Sequence, residues 1–396
     1  MKKTIPSGVW ALGFVSLLMD VSSEMIHALL PVYLVTIMGA SMETIGIIEG
    51  VAEATASIVK IFSGALSDWL GKRKLIVAIG YGLAAFTKPV FPLASSLGWV
   101  VAARFIDRVG KGIRGAPRDA LVADIAPPHL RGAAFGLRQS LDTVGAFVGP
   151  LIAIALMWLT ADNFRTVFWV AVIPGLLSFG LILFAVREPK RPAQLRKIRF
   201  PLSRSELRRL GLNYWLVVIV TTVFTLAQFS TAFLILRARA AGLPLALIPM
   251  VLVVMNAVYA LAALPAGVLS DRINRLTVLI IGFALLIAAD LTLAFSGSLI
   301  GVSLGIVLWG LHLGFTQGLL STLVADTAAA ELRGTAYGVF NLSAGLALLA
   351  ASMVAGALWQ YLGPQATFLS GALFTVLALL GLIGVRWRVP NLGMLR

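Results

Sequence analysis

The chain has 396 residues, 59% of them hydrophobic and only 12% charged, with a formal net charge of +15 and no cysteine. A water-soluble protein of this length needs far more polar surface around its core, and without cysteine there is neither a disulfide framework nor a thiolate metal site. The positive charge would suggest nucleic acid in a soluble protein, but its placement along the chain gives it another origin.

Met1-Lys2-Lys3 and the apolar run after it look at first like a secretory leader. The run extends to about Met38, carries Asp20 and Glu24, and lacks a small-residue cleavage site, so it reads as a first membrane span. Apolar stretches of about 20 residues, enough to cross ~30 Å of hydrocarbon, recur from there on. They predict twelve transmembrane helices over 9–37, 43–67, 75–96, 98–125, 134–159, 165–186, 213–237, 245–270, 276–296, 299–325, 335–360 and 365–388. Helix 4 is the least hydrophobic and the one a hydropathy window misses.

Lysine and arginine fall on alternate loops. The termini, the loops on their side and the basic segment after helix 6 hold 21 of them, against three (Arg165, Arg237, Arg239) on the other side. The positive-inside rule then predicts a multi-pass protein of the inner (plasma) membrane with both termini cytoplasmic. Much of the net charge is topological.

Two internal echoes follow. Leu121–Leu137 (LVADIAPPHLRGAAFGL) and Leu323–Val339 (LVADTAAAELRGTAYGV) share ten of seventeen positions at a separation of 202, and Gly64–Asp68 recurs as Gly267–Asp271 at 203. Two echoes at nearly one spacing indicate a duplicated six-helix unit. The expected fold is an all-α membrane protein of two pseudo-symmetric six-helix bundles: 1–186, a basic cytoplasmic linker 187–212, and 213–396.

The loop from Gly64 through Asp68 to Lys74 resembles the signature loop of the major facilitator superfamily, with Trp69 where a basic residue is usual. Its second copy, Asp271 to Arg275, keeps Arg272 but has Asn274 in place of glycine. On helix 5, Gly136, Gly145 and Gly149-Pro150 resemble the family's antiporter motif, with Ala153-Ile154 in place of its closing glycine pair. The resemblance covers essentially the whole chain. It implies alternating access between two halves, with helices 1 and 4 lining a central cavity and helices 2 and 5 beside it. Asp68 with Arg73, Asp124 with Arg131, and Asp271 with Arg272 are candidate gating charges. Gly145 and Gly149 allow close helix approach, and Pro150 permits a bend.

Charge inside the spans is concentrated in the first half. Burying a charge near the bilayer centre costs roughly 2.5–3.5 kcal/mol on the lenient insertion scale, so these groups must pair or line water. Asp20, Glu24 and His27 share a face of helix 1, and Glu49, Glu53 and Lys60 share one of helix 2. Close carboxylates resist ionising together, which makes Glu24, then Asp20, Glu49 and Glu53, the proton-coupling candidates. Arg104, Arg108, Lys111 and Arg118 form a basic stripe on helix 4, with Asp107 one turn from Lys111, and Arg138 stands one turn from Asp142. Arginine forks suit carboxylate or phosphate, so these residues and Asp142 are substrate-binding candidates. The second half opposes them with mostly neutral groups, Gln228, Asn256 and His312 foremost. A self-neutralising structural network remains the competing reading.

Three scattered histidines and the absence of a Gly-rich phosphate loop exclude a recognisable metal centre or ATP-driven pump. The expectation is a monomeric, non-enzymatic secondary transporter without metal or cofactor, whose partners are protons, a small-molecule substrate and the lipid bilayer, not nucleic acid. Proton-coupled efflux by antiport is the first reading. Proton-linked import of a small organic anion or metal chelate is the second, ahead of a membrane-embedded enzyme or a receptor.

Overall fold

In a computed structural model, residues 5–127, 130–189, 207, 209–327 and 332–388 are described. Among them there is no strand, and the helices assemble into twelve long segments. The first is α1 (Ser7–His27) with α2 (Leu30–Thr36), followed by α3 (Met42–Leu70). Next come α4 (Arg73–Thr87) with α5 (Val90–Leu93), α6 (Leu97–Ile125), α7 (Arg131–Leu159) and α8 (Phe164–Phe184). The second set is α9 (Leu212–Ala227) with α10 (Ala232–Ala240), α11 (Met250–Arg272), α12 (Arg275–Phe295), α13 (Leu299–Thr327), α14 (Arg333–Leu362) and α15 (Pro364–Arg388).

Ten of these segments are long and apolar enough to cross a membrane. The two outside that set are α3 and α6, each 29 residues long. Helix 4 of the sequence reading, α6, was the one expected to be missed, and its five arginines and lysines from Arg104 to Arg118 explain it. Four glutamates and lysines do the same for α3. Large apolar side chains stand open on the outside, Phe184 at 87% and Leu159 at 82% exposure. Water would penalise such a surface, and hydrocarbon does not.

Three segments break where the sequence reading had continuous helices. Pro31 opens α2, and Pro89 follows Lys88 between α4 and α5; each removes a backbone donor and ends a run of helical bonds. The third break, Gln228–Thr231, has neither proline nor glycine.

The described residues form two compact units. Unit 1 comprises Met1–Met38, Thr55–Phe200 and Leu245–Met250; unit 2 comprises Gly39–Ala54, Pro201–Pro244 and Val251–Arg396. In unit 1, α1 packs on α7 and α8, and α4 packs on α6 and α8. In unit 2, α9 packs on α14 and α15, and α12 packs on α13 and α15. Each pairing recurs six spans later, as a duplicated packing plan requires. Serine hydroxyls tie unit 1 across helices: Ser22 Oγ donates to Ala171 O at 2.6 Å, and Ser178 Oγ to Val15 O at 2.7 Å.

Candidate functional site

The acids of α1 are seated by the glycines of α7. A side chain at Gly145 would begin 2.7 Å from Leu17 O and 3.0 Å from Asp20 Cβ; at Gly149 it would begin 2.7 Å from Val21 O and 3.0 Å from Glu24 Cβ. The spacing of four residues on both helices repeats one contact twice, so α7 presents bare backbone to the two carboxylate-bearing turns. Glu24 Oε2 is 3.5 Å from His27 Nδ1 and lies within electrostatic range of Lys111 and Arg108. Asp20 lies within electrostatic range of Asp142, Arg118, Arg114 and Lys111.

On the basic stripe of α6, Arg104 and Arg108 are buried, Arg118 is half-buried and Lys111 is exposed. Arg104, Asp107, Arg108 and Arg114 are each 5% exposed or less. Lys88 Nζ donates to Asp107 Oδ1 at 2.9 Å and to Ser23 Oγ at 3.0 Å, while Arg108 Nε lies 3.8 Å from Asp107 Oδ2. Asp107 therefore meets Lys88, just past the end of α4, where helical spacing alone had suggested Lys111. The Arg114 guanidinium lies 4.8 Å over the Tyr81 ring, a cation–π contact. Tyr81 and Ser16 hydroxyls are 3.0 Å apart, and Arg118 Nη1 donates to Ser16 Oγ at 2.9 Å.

Beyond Arg114 the stripe closes into a square of two arginines and two aspartates. Arg118 is 3.3 Å from Asp119 and 3.8 Å from Asp142. Arg138 pairs with Asp142, lies 3.6 Å from Asp119 and donates to Gln139 Oε1 at 3.0 Å. The structure thus brings Arg118, Arg138 and Asp142 together, on two helices. Tyr81, Ser16 and Asp119 join them, and no single-helix periodicity could have assigned the contacts that cross between helices.

At the basic end of these helices Arg73 pairs with Asp124 and donates to Ala120 O at 3.0 Å. Glu188 accepts the backbone N–H groups of Arg73 (2.6 Å) and Lys74 (3.2 Å), capping the start of α4. Arg131 was expected opposite Asp124; its Nε instead donates to Ala123 O at 3.3 Å. Arg73, at the start of α4, bonds Ala120 O and Asp124 on the last turns of α6 through one Nη1, while Arg131, at the start of α7, bonds a backbone carbonyl of the same turns. The side chains of Asp68 and Asp271 lie outside the described residues, as does most of the 187–212 linker, and Arg272 is exposed at the end of α11. Replacing Arg73 by alanine is expected to lower stability by roughly 1–3 kcal/mol, with lysine restoring only part, because both the charge and the bond to Ala120 O are lost. Thermal unfolding in detergent checks this.

In unit 2, Gln228 Nε2 and His312 Nε2 are 3.2 Å apart, and His312 is fully buried with Trp309 edge-on at 5.3 Å. Asn256 is half-buried on α11. Glu49, 1% exposed, accepts from Ser230 Oγ at 3.3 Å, and half-buried Glu53 stands one turn farther along α3. Asp290 is fully buried, its carboxyl oxygens without a hydrogen-bond partner among the described residues, against Gly371. Among the described residues no group of three metal-ligating side chains converges.

A family model described as Major Facilitator Superfamily matches residues 12–342 and again 217–392. An uncharacterised MFS-type transporter of Methanocaldococcus jannaschii is 33% identical over 388 residues, covering 95% of this chain and 94% of the relative. The quinolone resistance protein NorA of Staphylococcus aureus is 26% identical over 183 residues, 46% of each chain. A crystal structure of the nucleoside transporter NupG superposes with a TM-score of 0.76 at 13% identity, covering 96% of this chain and 99% of that one.

Proposed function

The chain belongs to the major facilitator superfamily, and from that premise we propose that it exports a small solute across the inner membrane in exchange for protons, by alternating access of two six-helix halves with both termini in the cytoplasm. The observation that carries the coupling is the placement of Asp20 and Glu24. Both side chains leave α1 at the glycine seats of α7, and their carboxyls interact electrostatically with cations of α6, so a proton gained or lost there changes the charge balance of the α1–α6–α7 contact. Glu24 is the first coupling residue and Asp20 the second. The likeness to a quinolone resistance protein over 46% of the chain supports export.

A second reading, import of a small organic anion, draws on the charge count. The network of unit 1 holds five carboxylates (Asp20, Glu24, Asp107, Asp119, Asp142) and seven cations (Lys88, Arg104, Arg108, Lys111, Arg114, Arg118, Arg138), and the surplus suits an anionic solute.

Purified protein in proteoliposomes with an imposed pH gradient separates the readings, with a fluoroquinolone and a dicarboxylate as probes. Antiport predicts uphill quinolone movement opposite to protons; co-directional movement of the dicarboxylate supports the second reading. Glu24→Gln is expected to lose uphill transport and keep downhill exchange. Uphill transport with an unchanged pH dependence in that variant removes Glu24 from the coupling role.

A further inference from the structure

The break between α9 and α10 touches four other helices through three consecutive residues. Gln228 reaches His312 on α13 at 3.2 Å. Phe229 packs on Trp309 of α13, on Phe368 of α15 and beside Gly371, where Asp290 of α12 also lies. Ser230 makes three hydrogen bonds: its N–H donates to Ser352 Oγ on α14 (3.2 Å), its Oγ accepts the Ala232 N–H that opens α10 (3.2 Å), and its hydroxyl donates to Glu49 Oε2 on α3 (3.3 Å). Irregular backbone at membrane depth is tolerated where it is enclosed by protein, and such breaks absorb changes of backbone angle.

Glu49 lies on a segment held to unit 2 by bare backbone. A Cβ at Gly46 would collide with Ser352 O, one at Gly50 would lie 2.9 Å from Leu349 O, and one at Gly356 would lie 2.6 Å from Met42 O. At the far end of this seam Gln360 Oε1 accepts the Met42 N–H, and Tyr361 donates to Glu43, each at 3.1 Å. The seam has no ionisable group in its glycine stretch except Glu49, which faces the break.

We propose that Ser230 is the positioning residue for Glu49, and that the pair transmits the protonation state of Glu49 to the break in the seventh span. This rests on the proton-coupled reading above and assigns it a second station, in unit 2. With Glu49 ionised, the hydroxyl of Ser230 is fixed as donor in a charge-assisted bond, about twice as strong as a neutral one. Protonation removes the charge and frees the hydroxyl to accept from the acid, so the tie between the Gly39–Ala54 segment and the break weakens. The tie is present above the titration of Glu49 and lost as pH falls through it. The titratable groups near the pair include Glu53 on the same helix, His312 through Gln228, Asp290 beside Phe229, and Glu43 with Tyr361 at the end of the seam.

The chain contains no cysteine, so Ser41→Cys with Ala240→Cys places two spin labels at exposed positions of unit 2, one on the Gly39–Ala54 segment and one on α10, which the break opens. Electron–electron distance measurements on the full chain in nanodiscs between pH 5 and 9 should show a short-distance population that falls about fivefold, relative to the long one, as pH is lowered. Glu49→Gln should hold the loosened ratio at every pH, Ser230→Ala should lose the high-pH tightening, and Ser230→Thr should restore it. A pH response that survives in Glu49→Gln, or is lost only in a His312→Gln variant, overturns the proposal. Proton-linked flux in proteoliposomes is read separately. Its absence with an intact distance response defeats the coupling reading alone, and its presence with no effect of either residue defeats this inference alone.

Discussion

Lys88→Met is expected to remove about 3–5 kcal/mol of stability, the largest single effect in unit 1, because it strands the Asp107 carboxylate in a buried site. Lys88 and Asp107 are 2% and 3% exposed, and Lys88 Nζ supplies the closest cation at 2.9 Å. Arg108 approaches the other carboxyl oxygen only to 3.8 Å and does not replace that bond. The double variant Lys88→Met with Asp107→Asn should recover most of the loss, since it removes both charges together and leaves an amide to meet Ser23. Thermal unfolding of the purified protein, with size-exclusion profiles as a check on folding, measures both. A single variant within 1 kcal/mol of wild type would show that the pair is not the anchor between α4 and α6.

The second large effect is a contrast along one helix. Gly149→Leu should abolish transport, and Gly145→Ala or Gly149→Ala should each cost roughly 1–3 kcal/mol, because their first side-chain atom would begin 2.7 Å from a backbone carbonyl of α1. Gly136, on the same helix and in the same motif, has nothing within 4 Å of its Cβ position. Gly136→Ala should therefore be neutral, or stabilising by up to about 1 kcal/mol through the unfolded chain. The alanine variants at 145 and 149 also displace Asp20 or Glu24, so their transport rates should fall even under conditions where the protein stays folded. Equal behaviour of all three alanine variants, in unfolding and in flux, would refute the seating of the acids by α7.

Much of the scaffold was legible in the sequence, and the reason is the solvent. A bilayer demands about twenty apolar residues per crossing and a closed set of backbone hydrogen bonds, so each span leaves a hydropathy signature. The observed helices begin and end close to the expected bounds: 98–125 was expected and Leu97–Ile125 is found, 365–388 was expected and Pro364–Arg388 is found. Polarity masked the signal in α6, the least hydrophobic of the expected spans, and the helix is there as Leu97–Ile125. The break at Gln228–Thr231 left no such trace. It carries no proline or glycine, and what holds it open are contacts with Glu49, Ser352 and His312, which are far away in sequence.

The candidate site divides in the same way. Residue type and helical period marked the acids of α1 and the cations of α6 as groups too costly to face lipid; Arg104, Arg108 and Arg114 are buried, Asp20, Glu24 and Arg118 half-buried, and Lys111 exposed. Which acid meets which base was beyond their reach. Asp107 meets Lys88 across two helices, Asp124 meets Arg73 and not Arg131, and Glu49, on a helix of the first half, belongs with the second unit. The sequence alone determined that this protein crosses the membrane as two related sets of six spans and that charge is concentrated in the first set, because burial in hydrocarbon acts on each segment separately. The tertiary structure alone decided the pairing, because ion pairs, glycine seams and helix breaks depend on distances between segments that no local periodicity encodes.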